Sequence, residues 1–386
     1  MKFLHTSDLH IGKKLFELSM LEEQKHALKQ ILKIALEEAV DAVVIAGDVY
    51  DRAVPSAEAV SLLDDFLTGF SEAQIPVIMI SGNHDCGERV AFADRILERQ
   101  GIYIAGTYDG ELKDVTIDDD FGTVHFICLP FVKPSVVGAH SSAEAVEKIL
   151  SATPMMYSLH HRYVLVTHFF VTGDQGEEPV LSDSESIVSV GGLDNVPASM
   201  FQTFDYVALG HIHKPQRMGS GHVYYCGTPV KYSFSEGFQE KGVNIVDLTE
   251  KGQISVKRRE LTPLHDMRCI KGTLSQLLAV GMEQEAGRED YLQVTLTDTE
   301  ELIDPMGTLR SIYPNVLQII LAKNEIANGS EYESRLSGER KSIEELFADF
   351  YELVKGEPMD EMRRRYVKEA AEDVQEAVER SGDDRK

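Results

Sequence analysis

Short apolar runs that each end in a few charged or amide-bearing residues recur along this chain, and their order constrains the fold more than any other feature. The polar clusters are Asp8-Leu9-His10, Gly47-Asp48-Val49-Tyr50-Asp51, Gly82-Asn83-His84-Asp85, Thr167-His168 and Gly210-His211-Ile212-His213. The runs ahead of them, at residues 3–6, 42–46, 77–80, 163–166 and 206–209, read as buried strands. Strand ends of one sheet converge on one crevice, so all five clusters are expected to meet. Taken singly, an Asp-x-His or His-x-His is ordinary surface or core hydrogen bonding; the joint occurrence carries the argument. Glycine precedes Asp48, Asn83 and His211, where it lets the backbone turn sharply and approach a ligand closely.

Helical patterns separate the first strands, one around Leu21, Leu28, Ile31, Leu32 and Ala35, the next running from Pro55 through Leu62, Leu63 and Phe66. Further runs at 124–129, 223–226 and 243–246 have fewer helices between them, which predicts a second sheet packed on the first. The expected class is α/β, a layered β-sandwich flanked by helices. A chain of 386 residues exceeds one ordinary core. We therefore expect a catalytic domain over 1–264 and a small α/β cap over 265–324, with strands at 267–271, 291–296 and 316–321 and helices at 274–280 and near Leu309. A polar linker over 325–340 and helices over 341–386 complete the expected division.

Composition narrows the function classes. A formal net charge of −26 is unusual for a chain that holds nucleic acid, so a DNA substrate would require a local basic strip or a partner. The four cysteines, Cys86, Cys128, Cys226 and Cys269, form no Cys-x-x-Cys pair, and reduced thiols are expected. No signal-like or membrane-length apolar stretch is present, so a soluble, cytoplasmic protein is expected. No Gly-x-x-x-x-Gly-Lys-[Ser/Thr] string occurs, which excludes ATP binding through a P-loop. The clusters mix carboxylate and amide oxygens with imidazole nitrogens, a donor set that suits manganese, iron or zinc and offers no thiolate for a soft metal. Two divalent ions about 3.5–4 Å apart would share a carboxylate and clamp both oxygens of an in-line displacement at phosphorus.

In this order the clusters resemble the calcineurin-type metallophosphoesterase superfamily. Longer strings narrow the match: residues 6–12 (TSDLHIG), 46–56 (AGDVYDRAVPS), 81–85, 204–216 (FDYVALGHIHKPQ), Gly227-Thr228-Pro229 and 231–236 (KYSFSE) resemble the family of bacterial SbcD nuclease subunits, over essentially the whole chain. The resemblance implies that Asp8, His10 and His213 hold one ion, that Asn83, His168 and His211 hold the other, and that Asp48 bridges them. It implies that His84 is not a ligand but stabilises the transition state and protonates the leaving oxygen, with Asp51 orienting its ring. Arg52, Lys13 and Lys14 are candidate phosphate contacts, although Arg52 reads equally as a helix-start salt bridge. Asp85 reads as a buttress of its loop, and Cys86 as a small filler or, if exposed, an oxidation-sensitive thiol.

The implied function is an Mn2+-dependent DNA exonuclease and endonuclease that works as a homodimer with an SbcC-like coiled-coil ATPase in DNA repair and recombination. The cap of this family faces DNA. Ile343, Leu346, Phe347, Phe350, Tyr351 and Val354 make an amphipathic stripe suited to docking the ATPase, or to packing back on the cap. A small-molecule phosphodiesterase or phosphatase on the same fold is the rival enzyme, and the cap and tail argue against it. An inactive scaffold would have lost ligands, whereas every ligand position here is filled.

Overall fold

The computed structural model describes residues 1–153, 161–173, 176–185, 194–219 and 221–322, together with 347, 348, 351, 358–360 and 362–368. The expected linker and most of the expected docking stripe (Ile343, Leu346, Phe350 and Val354) lie outside the described residues. The chain divides into two compact units, the first comprising Met1–Cys269, Gln284–Gln293 and Tyr313–Leu317. In its first half, β1 (Lys2–Thr6), α1 (Leu21–Glu37), β2 (Ala42–Ala46), α2 (Ala57–Glu72), β3 (Val77–Ile80) and β4 (Ile102–Ala105) alternate strand with helix. There follow β5 (Lys113–Asp119), β6 (Gly122–Leu129), α3 (Ser142–Ala152), β7 (Arg162–Thr167), β8 (Tyr206–Leu209), β9 (Gln216–Met218), β10 (Val223–Tyr225), β11 (Gly242–Leu248) and β12 (Ile254–Glu260).

These strands form two six-stranded sheets, ordered β12-β11-β1-β2-β3-β4 and β9-β10-β8-β7-β6-β5. In the first, β1 to β4 pair in parallel and β11 runs antiparallel to β1. In the second, β6, β7, β8 and β10 are parallel, with antiparallel strands at both edges. The sheets face each other across a core of Phe3, Val44, Ile78, Phe126, Val164, Val166, Tyr206 and Ala208. Phe3 meets Phe126 and Tyr206 edge to face, with ring centroids 5.5 Å apart in both pairs. On the outer face of the first sheet, Leu4, Val43 and Ile45 pack with Leu28 and Ile31 of α1 and Phe66 and Phe70 of α2. Ile127, Leu165 and Val207 do the same with Val146 and Ile149 of α3. Sheets covered on both faces have no polar side, which is why strands such as Ala42–Ala46 are continuous apolar runs. The layered sandwich flanked by helices is the observed architecture.

Apolar runs do not reveal the edges. Lys113–Asp119 and Ile254–Glu260 alternate exposed and covered residues and carry four charged side chains each, because one face meets water. The helix Ser142–Ala152 is a further element outside the expected set, although Ser141 caps it by accepting from Glu144 N and Val146 and Ile149 face inward. Pro55 is not in the first turn of α2: Ser56 is the cap, its hydroxyl accepting from Ala59 N at 3.3 Å, and Pro55 precedes it.

The second unit comprises Ile270–Glu283, Val294–Ile312 and Gln318–Lys386. Residues 267–321 run strand, helix, strand, helix, strand: β13 (Met267–Gly272), α4 (Leu274–Glu283), β14 (Tyr291–Leu296), α5 (Pro305–Arg310) and β15 (Val316–Leu321). The strands make a three-stranded sheet of order β13-β14-β15. Asp304 caps α5 by accepting from Gly307 N, and Pro305 fills its first turn.

Two polar ties cross the main sandwich. His5 of β1 meets the Tyr206 hydroxyl at 2.9 Å, and burial pushes its imidazole down to about 3, so it stays neutral. Arg162 of β7 is buried and donates to the carbonyls of Leu248 (2.9 Å), Thr249 (2.7 Å) and Gly122 (2.8 Å) and to the Asp119 carboxylate. Removing that guanidinium takes a donor from three carbonyls and from Asp119, which keeps the amino terminus of Met1 and Phe121 N. Arg162→Ala should lower the unfolding free energy by about 3 kcal/mol, the low end for breaking a buried pair, since Asp119 keeps some contact with water. Urea unfolding checks this, and a loss below about 1 kcal/mol would show the tie to be dispensable.

Candidate metal centre

The strand ends of both sheets deliver the five clusters to one place. Beyond β1 and β2 the main chain keeps pairing, with Asp8 N on Gly47 O at 3.0 Å, His10 N on Asp48 O at 3.0 Å and Ile11 N on Val49 O at 2.9 Å. Asp8 (φ 52°), His10 (φ 44°), Asp48 (φ 47°) and His211 (φ 98°) all occupy the left-handed region, at a cost of about 1–3 kcal/mol each. Strain in four non-glycine residues of one crevice marks a site held in place by its surroundings. Close approach explains two glycines. A Cβ on Gly82 would lie 2.1 Å from Asp48 Oδ1, and one on Gly210 would lie 1.9 Å from Ala46 O and 2.6 Å from His168 Nδ1.

Each aspartate turns one oxygen to the backbone and the other inward. Asp8 Oδ1 accepts from His211 N at 2.8 Å, while Asp8 Oδ2 is buried without a hydrogen-bond partner. Asp48 Oδ1 accepts from His84 N at 2.9 Å, while Oδ2 lies 3.3 Å from His168 Nε2, 3.7 Å from His10 Nε2 and 4.0 Å from His84 Nε2. His10 Nε2 stands 3.1 Å from His213 Nε2. Asn83 Oδ1 lies 3.1 Å from His168 Nε2 and 2.8 Å from His211 Nδ1. His168 Nδ1 donates to Ala46 O at 2.8 Å, which aims Nε2 at the centre. Asp8, His10 and His213 thus form one potential ion site, and Asp8, Asp48 and His168 a second beside it, to which Asn83 and His211 are joined. The first set is buried, whereas Asn83 is exposed and His84 and His211 are part-exposed, so a substrate reaches the crevice from that side.

The unpartnered, buried Asp8 oxygen and the oxygen and nitrogen donors facing one another fit divalent cations. Electrostatics agree. Burial pushes the Asp8 carboxyl up, an anion short of counter-charge. Burial also works to raise Asp48, but His168 and His10 outweigh it and hold this carboxylate below its usual range. His168 shows the complement: burial opposes its charge, yet Asp48 and then Asp8 raise it to about 9. Loss of solvent lowers His211 to about 3 and His10 well below its ordinary value.

His84 stays at the rim, its ring edge-on to His10 with centroids 4.8 Å apart. Its Nδ1 donates to the main-chain oxygen of Asp51 at 3.0 Å. The expectation that the Asp51 carboxylate orients this ring is corrected here: that carboxylate is taken by Lys13 Nζ at 2.8 Å, with Arg52 Nε at 3.7 Å and His10 Nδ1 at 3.7 Å. A carbonyl on the same residue fixes the tautomer as well as a carboxylate does. Lys13 is therefore paired, Lys14 is exposed, and the Arg52 side chain is 79% exposed. Asp85 buttresses its loop, accepting from Val49 N, Tyr50 N and Gly82 N at 2.9–3.0 Å; burial and then Asp48 push its carboxyl up to about 6. The Cys86 thiol donates to the Glu88 carboxylate at 3.3 Å, and all four cysteines are free. Sequence reasoning does not single out Gln24, Ser184 or Lys241. Gln24 Nε2 donates to His10 O at 2.7 Å and to Tyr232 Oη at 2.8 Å, and Tyr232 donates to Leu9 O at 2.6 Å. Nothing in local spacing signals such cross-chain supports.

Known proteins are similar to this chain. The family model "Calcineurin-like phosphoesterase" matches residues 1–215, and the model "Type 5 capsule protein repressor C-terminal domain" matches residues 263–355. A dimetal phosphatase from Danio rerio aligns with 67% of this chain and 96% of its own at 13% identity and a TM-score of 0.40. The SbcD component of the SbcCD nuclease from Staphylococcus epidermidis is 30% identical over 95% of this chain and 97% of its own length. Its counterpart in Staphylococcus saprophyticus is 31% identical over 92% of this chain and 94% of its own. The chain belongs to the calcineurin-like phosphoesterase family, in the branch of the SbcD nucleases.

Two outcomes follow for metal binding. Asp48→Ala should lose both ions in elemental analysis, because the inward carboxylate faces both donor sets; retention of two tightly held ions would remove Asp48 from the centre. At pH 7 the metal-free His168 carries a proton that an ion must displace, so binding should tighten with pH up to about 9, roughly tenfold per unit for one proton. Calorimetric titration with Mn2+ in buffers of different ionisation heat should show that proton released.

Proposed function

We propose that this chain is a two-metal DNA nuclease, acting with Mn2+ as exonuclease and endonuclease in a homodimer that assembles with an SbcC-like ATPase. The observation that carries the reading is the meeting of Asp8, His10, Asp48, Asn83, His168, His211 and His213 around inward-facing donor atoms, with His84 beside them. The curated relatives are named nuclease subunits of an SbcCD complex, which supports a nucleic-acid substrate and an SbcC-like partner. When bound, the ions supply positive charge for the phosphate oxygens and make water a better nucleophile.

The chain's own groups do the rest. Asp8, His10 and His213 hold one ion, Asn83, His168 and His211 the other, and Asp48 spans both. His84 donates its Nδ1–H to the Asp51 carbonyl, which turns Nε2 toward the leaving oxygen; the ring protonates that oxygen only from its imidazolium form, with a proton on each nitrogen. Lys14 and Arg52 are the proposed phosphate contacts, a small basic strip at the rim; Lys13, the third candidate, is held by the Asp51 carboxylate and serves that loop instead. The proposed division of labour along the chain is a nuclease domain (1–264), a DNA-facing cap (265–324), a linker (325–340) and docking helices (341–386). Among the described residues no helix is long and apolar enough to cross a membrane.

Incubating purified chain and Mn2+ with labelled linear DNA beside a generic phosphodiester substrate tests the reading, which fails if only the generic substrate is cut. His84→Gln should keep both ions yet lose about 10²–10⁴ in rate. Loss of ions from that variant in elemental analysis would make His84 a ligand. Deleting 341–386 should leave cleavage by the isolated chain nearly unchanged while ending co-purification with the ATPase; a truncated chain that still binds it removes the docking role.

A further inference from the structure

The string KYSFSE at 231–236, together with Thr228 just before it, is not used by the chemistry above, yet it surrounds one fully buried carboxylate. Glu236 Oε2 accepts from Lys241 Nζ at 2.6 Å, Tyr232 N at 3.3 Å and Thr228 Oγ1 at 3.4 Å. Glu236 Oε1 accepts from Ser233 Oγ at 2.9 Å and from Ser184 Oγ at 2.5 Å. Lys241 is itself buried and also donates to the His213 carbonyl at 3.1 Å, so the pair is a fixed ion pair inside the fold.

Ser184 is the link to the metal centre, with His213 Nδ1 2.6 Å from its Oγ. A serine hydroxyl has one proton, and an ionised carboxylate can only accept. That proton therefore goes to Glu236, and the Ser184 lone pair must accept from His213 Nδ1–H. The ring is left with a bare lone pair on Nε2, the atom that faces His10 Nε2 at 3.1 Å. A direct Glu236 contact does not replace the relay, since Oε1 lies 3.9 Å from His213 Nδ1.

We propose that Glu236, acting through Ser184, is a positioning residue that fixes the Nδ1–H tautomer of His213 and so keeps Nε2 available to the ion held with Asp8 and His10. The proposal rests on the two-metal reading, and it predicts an effect on one ion site only. An amide at position 236 could donate to Ser184, turn the hydroxyl toward His213 Nδ1 and place the histidine proton on Nε2, where it competes with the ion.

The test uses Ser184→Ala, Ser184→Thr and Glu236→Gln in the full chain. Mn2+ binding is followed by calorimetry, and the histidine tautomers of the metal-free protein by nitrogen and carbon NMR of labelled imidazoles. Ser184→Ala keeps the Glu236–Lys241 pair, so it guards against Glu236→Gln failing to fold. Ser184→Ala and Glu236→Gln should weaken one of the two Mn2+ sites about 10–100-fold and leave the other unchanged, while Ser184→Thr restores it. Wild-type His213 should be the Nδ1–H form, and Glu236→Gln should shift it toward Nε2–H. Unchanged affinity at both sites in Ser184→Ala, or an Nε2–H His213 in the wild type, overturns the proposal. A wild-type chain that binds no Mn2+ overturns the two-metal reading instead, and the tautomer then decides the relay by itself.

Discussion

The centre depends on a division of labour within Asp48, whose two oxygens face different ways. One is fixed by His84 N, and the other is turned toward His168, His10 and His84. That orientation requires a left-handed backbone at Asp48 and a neighbour without a side chain at Gly82. It also needs the loop above it kept in place, which Asp85 does by collecting three main-chain N–H groups. The charge of Asp48 then governs its surroundings, raising His168 and Asp85. A cluster this acidic and imidazole-rich is poorly balanced without cations, which is the physical case for metal independent of any relative.

Support for the donors comes from chain far away in sequence. His168 is aimed by a carbonyl of β2, His10 is held through its carbonyl by Gln24 of α1, and His213 is reached by Ser184, Glu236 and Lys241. Two sheets packed face to face make this possible, since the ends of β1, β2 and β3 meet those of β7 and β8 along one side of the sandwich. The buried ties at His5 and Arg162 hold the sheets in that register. An error of about 1 Å between sheets would separate the donors and cost much of any rate.

The acidic balance of the chain also acquires a local meaning. Much of the charge near the crevice is already committed: Lys13 to Asp51, Lys231 to Asp266 and Lys241 to Glu236. What remains for a polyanion at the rim is narrow, with Lys14 and Arg52 exposed beside the opening. Such a surface favours a substrate drawn in by bound cations and by a partner over one held by an extended basic face.

The sandwich and the meeting of the donor residues are legible in the order of residues alone. Strands buried on both faces, such as Ala42–Ala46, Val77–Ile80 and Tyr206–Leu209, are unbroken apolar runs, and a polar cluster directly after such a run has to lie at the end of its strand, where the sheet stops. Edge strands carry no such signal, because one side of Lys113–Asp119 and Ile254–Glu260 is solvated and their charges read as loop. Which atom does what is settled by packing. Asp51 supports His84 through its carbonyl because Lys13 has claimed the carboxylate, and Glu236 lies beside His213 because a loop after β10 folds back beneath the first metal cluster. Hydrogen-bond partners far apart in the chain are chosen by the way the two sheets stack, and no local periodicity encodes them.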